Sequence, residues 1–185
     1  GFFKPDRFNP SQVRWMNGTI CTVALLESRQ THEDACSLSS KFAGSFGTRM
    51  TAVKRVVVNF DQQVHSLVNV GDHVSYSSSL CVIEDSIGTD TSLFTDETLN
   101  TLKALSGQSP RAKVTGRVDN IEVFYHGDKE DMSESLRSLA DVSDRRMADR
   151  RRSVGKAVFT GQVDEGYRIE GEPLLLDTAV IVVYI

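Results

Sequence analysis

At 185 residues, with 39% hydrophobic and 25% charged side chains, the chain has the makeup of an ordinary globular protein, enough for one domain or two small ones. Its formal net charge of −4 excludes a whole-surface affinity for nucleic acid or anionic membrane, so any basic site must be local. No apolar window approaches the roughly 18 residues that a membrane span needs, and the first ten residues hold no long apolar run of the signal-peptide kind.

Taken in chain order, the turn-prone Asn17-Gly18 introduces a first strand at Thr19–Leu26. A polar bend, Glu27 to Thr31, leads into His32-Glu33-Asp34-Ala35-Cys36. From Met50 to Phe60, Val alternates with Thr, Lys, Arg and Asn, the period-2 pattern of a half-buried strand. Short strands are expected at Val64–Val68, Val70–Val74 and Ser79–Ile83, with Gly71-Asp72 as a hairpin turn. A polar insert, Asp85 to Arg111, holds one predicted helix, Thr95–Leu105, with Thr95 as N-cap. Ala112 to Tyr125 reads as a strand pair closed by His126-Gly127-Asp128.

A second helix is expected from about Lys129 to Arg152. Met132, Leu136, Leu139, Ala140 and Met147 share one stripe of it, and Val142-Ser143 is a place where it could break. Strands return at Val154–Val163 and in the apolar run Thr178–Ile185. Because the chain starts on Gly and closes inside that run, it reads as a piece of a longer protein. The run Val180–Ile185 is then expected to be an open edge that pairs with another copy.

Strand, Gly-Asp turn, strand, and a later "Gly-x-Val…Ile-x-Val" strand is the rhythm of a barrel-sandwich hybrid, as in biotin and lipoyl carrier domains. The carrier lysine is missing, because Glu84 is followed by no Lys until Lys103. The three cysteines are unpaired in spacing, which argues against zinc or a disulfide scaffold. The four histidines have no second ligand at helical or hairpin spacing, and no P-loop, GxGxxG, nucleophile elbow or HExxH occurs.

Two constellations remain. Glu33 and Asp34 set two carboxylates at a strand-to-loop junction, where acids can hold a divalent metal directly or through water. Arg145, Arg146, Arg150, Arg151 and Arg152, with Arg137 two turns earlier, load the end of the second helix with positive charge. Such a cluster suits the helix macrodipole, and it also suits nucleic-acid phosphate or an acidic partner.

These frames together resemble the middle of the β subunit of multisubunit DNA-directed RNA polymerases. Val23 to Ser39 is similar to the family's "VAxMPWxGYNFEDxxxIS" segment, keeping the apolar strand and Glu-Asp but not the Pro-Trp or Gly-Tyr-Asn. Phe60 to Asp85, with VGDHVSYSSSLCVIED, resembles "IGAEVKPGDILVGKVTP". Thr115 to Phe124 is similar to "SGTVIDVQVF", and Asp128 to Asp149 resembles the charged helix entering the flap. Gly171 to Ile185 looks like "GDDLAPGVLKIVKVYIA". Five landmarks keep their order along nearly the whole chain, with a flap interior shortened between Arg152 and Gly166.

The resemblance implies a mainly β fold with a few helices (α+β), a barrel-sandwich hybrid core and a flap-like insertion. It divides the chain into 1–60 with the Glu-Asp motif, 61–127 as the hybrid with its insert 85–111, 128–166 as the flap-like segment, and 167–185 as returning strands. It implies a fragment of a viral, bacteriophage-type β-like subunit, at work in the host cytoplasm or carried in the virion. Glu33 and Asp34 would be catalytic-site residues, Asp34 touching Mg2+ indirectly through the triphosphate, with the metal held mainly by another subunit. The arginines would meet exiting RNA or a partner. The implied partners are β′-like and other polymerase subunits, the DNA template, the RNA product and an initiation factor, with no membrane. The isolated fragment would be inactive. The other reading is a non-enzymatic interaction module that uses the hybrid barrel in a transcription or virion assembly.

Overall fold

The computed structural model describes residues 3–5, 12–15, 20–25, 36–45, 50–85, 107–154 and 160–185. They fall into two compact units, Gly1–Met50 and Thr51–Ile185. Among these residues strands outnumber helices and the sheets are open, so the fold is mixed α and β.

In the first unit, β1 (Phe3–Pro5) and β2 (Val13–Trp15) pair antiparallel with Lys4 opposite Arg14, a hairpin the sequence pattern did not announce. A short helix, α1 (Ser40–Ser45), follows Ser39, whose hydroxyl accepts the Phe42 N–H at 3.2 Å as an N-cap does. The strand expected at Thr19–Leu26 is not formed over its described part. Ile20–Leu25 belong to no strand, and Ile20, Val23 and Leu25 are exposed. Branched side chains favour an extended chain, but a strand also needs a neighbour.

The second unit runs β3 (Val53–Asn59), β4 (Gln63–His65), β5 (His73–Val74), β6 (Val82–Glu84), β7 (Gly116–Arg117), β8 (Asn120–His126), a 3-10 turn (Lys129–Asp131), α2 (Glu134–Val154), β9 (Arg168–Ile169), β10 (Glu172–Pro173) and β11 (Thr178–Tyr184). Its centre is a three-stranded antiparallel sheet in the order β3-β11-β8. All seven residues of β11 are buried, which explains why its sequence is apolar without alternation: both faces are covered. In β3, Val56 and Val58 face the core while Val57 stands exposed, as its alternation requires.

Two expectations are corrected by this topology. The C-terminal run is not an open edge, since β11 is hydrogen-bonded to β3 on one side and β8 on the other. Nor does Gly71-Asp72 join two paired strands. It closes a turn in which Asp72 N–H reaches the Asn69 carbonyl at 3.1 Å and Gly71 has φ 101°. Beyond that turn β5 pairs with β7, while β4 pairs with β6. The turn hands the chain from one small sheet to another.

The second helix forms as expected, with one refinement. A 3-10 turn comes first, and Ser133 then starts α2, its hydroxyl receiving the Leu136 N–H at 3.4 Å. Met132, Leu136, Ala140 and Met147 are buried along one stripe, with Leu139 partly buried beside it. Ser143 does not break the helix, because its hydroxyl faces β8 and accepts the Val123 N–H at 2.9 Å. That bond covers part of the β8 edge that β11 leaves free. Residues 161–163 cover more: Tyr125 N–H donates to the Gly161 carbonyl at 2.8 Å, and Val163 N–H donates to the Tyr125 carbonyl at 2.9 Å.

Candidate functional site

The basic helix of the sequence analysis divides by its own periodicity. Arg137 turns back over the helix start, its Nε donating to the Lys129 carbonyl at 2.9 Å and its guanidinium also reaching the carbonyls of Glu130 and Met132. It locks the 3-10 turn onto α2. Arg150 lies on the buried stripe, and its guanidinium meets the Glu122 carboxylate on β8 at 2.7 Å. Arg145 and Arg146 are exposed on the other side of the helix. Arg151 and Arg152 follow in its last turn.

Glu122 is only 5% exposed, a burial that a carboxylate tolerates only when fully partnered. Besides Arg150, it accepts the Tyr184 hydroxyl at 2.8 Å and the Asn120 amide at 3.2 Å. One carboxylate thus ties α2 to β8 and to the end of β11.

A second buried carboxylate, Asp144, lies on α2 itself, about a turn and a half before Arg150. It accepts the Gly161 N–H at 2.5 Å and the Tyr125 hydroxyl at 3.1 Å, and pairs with the Lys129 ammonium at 2.5 Å. Lys129 also reaches Asp141 at 2.7 Å and lies over the Tyr125 ring, 5.6 Å from its centre. Burial alone would push the Lys129 ammonium down, but its bonds to Asp141 and Asp144 outweigh this and hold it above the ordinary lysine range. Lys129 in turn holds the Asp141 carboxyl below its ordinary value. Burial, together with the negative Asp144, pushes the Tyr125 phenol up to about 12. Gly161 has no room for a side chain, since an added Cβ would lie 1.9 Å from the Val123 carbonyl oxygen. Only glycine lets the 161–163 segment come close enough to β8 to use Asp144.

Sequence reasoning missed Glu122, Lys129 and Asp144. For Arg150 a signal existed: Leu136, Ala140, Ser143, Met147 and Arg150 recur at helical spacing on one face. A positive charge on the apolar stripe calls for a buried acid opposite.

The Glu33–Asp34 pair and the helix expected at Thr95–Leu105 lie outside the described residues. Among the described residues no group of three or more His, Cys, Asp or Glu is placed to hold a metal ion. Two open clefts adjoin at the turn before β11. The larger, about 590 Å³, is lined by His126 and by acids that include Asp128, Asp164 and Asp177. The smaller, about 430 Å³, lies between Phe60 and the Leu175-Leu176 pair.

No protein-family model matches the chain, and no curated protein matches it. No helix among the described residues is long and apolar enough to cross a membrane.

Proposed function

We propose that the chain is part of a DNA-directed RNA polymerase β-like subunit of viral type, contributing to the wall of the nucleotide and Mg2+ site and to the flap over exiting RNA. The observation that carries this reading is the path from β8 to β11. These strands pair directly along their length, yet α2 and the small β9–β10 hairpin lie between them in sequence. The segments that resemble the strands flanking the flap are therefore neighbours in space, and the helix that resembles the flap entry is an insertion between them. We read β4 to β7 as the barrel-sandwich hybrid portion, and the host cytoplasm or virion as the place of action.

In this reading Glu33 and Asp34 shape the field around a magnesium–triphosphate complex whose principal metal ligands belong to a β′-like subunit. Arg145 and Arg146 offer exposed charge to RNA or to a partner. Purification of the protein from its native source should recover a β′-like partner. In the reconstituted enzyme, Asp34→Ala should leave assembly intact and slow single-nucleotide addition, with a defect that varies with magnesium concentration. Wild-type kinetics for Glu33→Ala/Asp34→Ala would remove the catalytic role.

The second reading is a non-enzymatic interaction module. It is favoured by the closure of Glu122 and Asp144 with protein partners, which leaves neither carboxylate open for chemistry. Recovery of the chain in an assembly without any β′-like subunit would select it.

A further inference from the structure

We propose that the paired clefts around Leu175-Leu176 are a docking surface for a basic protein segment that carries an apolar anchor. The inference is independent of the polymerase reading. Three consecutive leucines have different fates. Leu174 is buried, its carbonyl 3.0 Å from the His126 ring nitrogen, while Leu175 and Leu176 are 68% and 64% exposed. Their exposure is built in rather than incidental to a loose loop. The Thr178 hydroxyl donates to the Leu175 carbonyl at 2.6 Å, Asp177 N–H donates to the His126 carbonyl at 2.8 Å, and Phe60 N–H donates to the Asp177 carbonyl at 2.9 Å. Gly127 keeps this packing close, because a Cβ there would meet Asp177 Oδ1 and the Phe60 ring at 2.9 Å.

The two clefts share Asp131, Leu176 and Asp177, so Leu176 stands on the ridge between an apolar hollow and an acidic one. Six carboxylates line the pair: Asp61, Asp128, Asp131, Asp164, Glu165 and Asp177. Among the described residues, no Lys or Arg lines the clefts. The acids are exposed, so they attract and orient a cationic partner rather than bind it tightly, and the leucines supply the area that desolvates. Lysines or arginines beside a large aliphatic or aromatic residue satisfy both hollows at once. Phosphate-bearing ligands are repelled by the same acids. The surface therefore differs in kind from the exposed arginines of α2.

Random twelve-residue peptides displayed on phage and selected against the full 185-residue chain test the proposal. Enriched peptides should combine Lys or Arg with a large apolar residue. Binding of the synthesised winners, read by fluorescence anisotropy, should weaken at least tenfold with Leu175→Ser/Leu176→Ser and separately with Asp128→Asn/Asp131→Asn/Asp164→Asn. Both variants change exposed side chains and should melt as the parent does. The proposal is overturned by a failure to enrich, by winners without basic residues, or by either variant binding the winners as tightly as the parent does. It is also overturned if sedimentation shows the chain self-associating through these leucines, which would make a second copy the occupant.

Discussion

In the middle of α2, Ser143, Asp144 and Met147 are buried against the sheet while Arg145 and Arg146, in the same turn, stand in solvent. One turn further on, Arg150 is drawn back to the sheet by Glu122. Identical side chains in one short basic run thus play opposite parts, and helical phase decides which. With about 100° between successive residues, Arg150 falls on the stripe of Leu136, Ala140 and Met147, whereas Arg145 falls opposite it. A count of charges in the sequence sees one basic patch. The fold contains a buried anchor and a free surface, and only the surface is available to an outside ligand.

The comparison is tested most severely at Asp144. Asp144→Ala leaves Lys129, the Tyr125 hydroxyl and the Gly161 N–H without their shared acceptor. Removing one partner of such a buried cluster costs about 3 kcal/mol, and urea unfolding followed by circular dichroism should show it. A loss under about 1 kcal/mol would mean that water replaces the carboxylate, and the buried side of α2 would be no anchor.

Arg150→Ala should cost less, about 2 kcal/mol, because Glu122 keeps its bonds from Tyr184 and Asn120. The pair Arg150→Met/Glu122→Gln should recover most of that loss, since the uncompensated charge is removed along with its partner. Failure of the double variant to recover would assign the effect of Arg150 to packing of its stem instead.

A pH-dependent effect comes from the same buried side. Burial raises the Cys81 thiol from 9.0 to about 11, and burial with Asp144 raises the Tyr125 phenol from 10.0 to about 12. Lys129 is likewise raised by its two aspartates. In each case the folded chain keeps a proton that the unfolded chain releases at lower pH. The stabilisation is therefore complete below about pH 9 and is lost as pH rises through the folded values. Stability should fall steadily between pH 9 and 12, and Tyr125→Phe should make the upper part of that slope shallower. An unchanged slope in Tyr125→Phe would place the alkaline transition elsewhere.

Much of the scaffold was legible because it obeys a period. The alternation from Met50 to Phe60 marked β3 as a half-buried strand, and the stripe of α2 predicted its inward face. The apolar run of β11 was also legible as a strand, but its position was not. Its partners lie more than fifty residues away, and no local pattern says that β3 and β8 will flank it. Ile20–Leu25 shows the converse, a strand-like composition without a strand, with Leu25 95% exposed. The β9–β10 hairpin was hidden because a glutamate, Glu170, takes φ 53° beside Gly171 at 96°, where turn chemistry favours Asn or Gly. The polar anchors were hidden for the same reason as the register of β11: Tyr125, Lys129, Asp144 and Gly161 meet only after α2 has folded back on β8. Glu33 and Asp34 remain a reading of sequence alone.

The smallest expected effect on stability is at the exposed arginines, and there the free side of α2 can be tested directly. Arg145→Ala/Arg146→Ala removes two solvated charges, so folding stability should stay within about 0.5 kcal/mol of the parent. Arg145 lies near enough to help hold Asp141 in its charged form, but Lys129 dominates there, so its removal should not loosen the Lys129 cluster. If these arginines contact nucleic acid in an assembled polymerase, the double variant should weaken RNA retention with little dependence on base sequence. For single-stranded RNA each lost phosphate contact lowers the slope of log affinity against log salt by about 0.7, so the slope should fall by roughly 1.4. Arg150→Ala, matched for charge at a single position, should affect retention only as far as it unfolds the chain. If the exposed pair leaves the salt slope unchanged while Arg150→Ala lowers it, phosphate recognition lies on the inner side of the helix, and the division between anchor and surface is wrong.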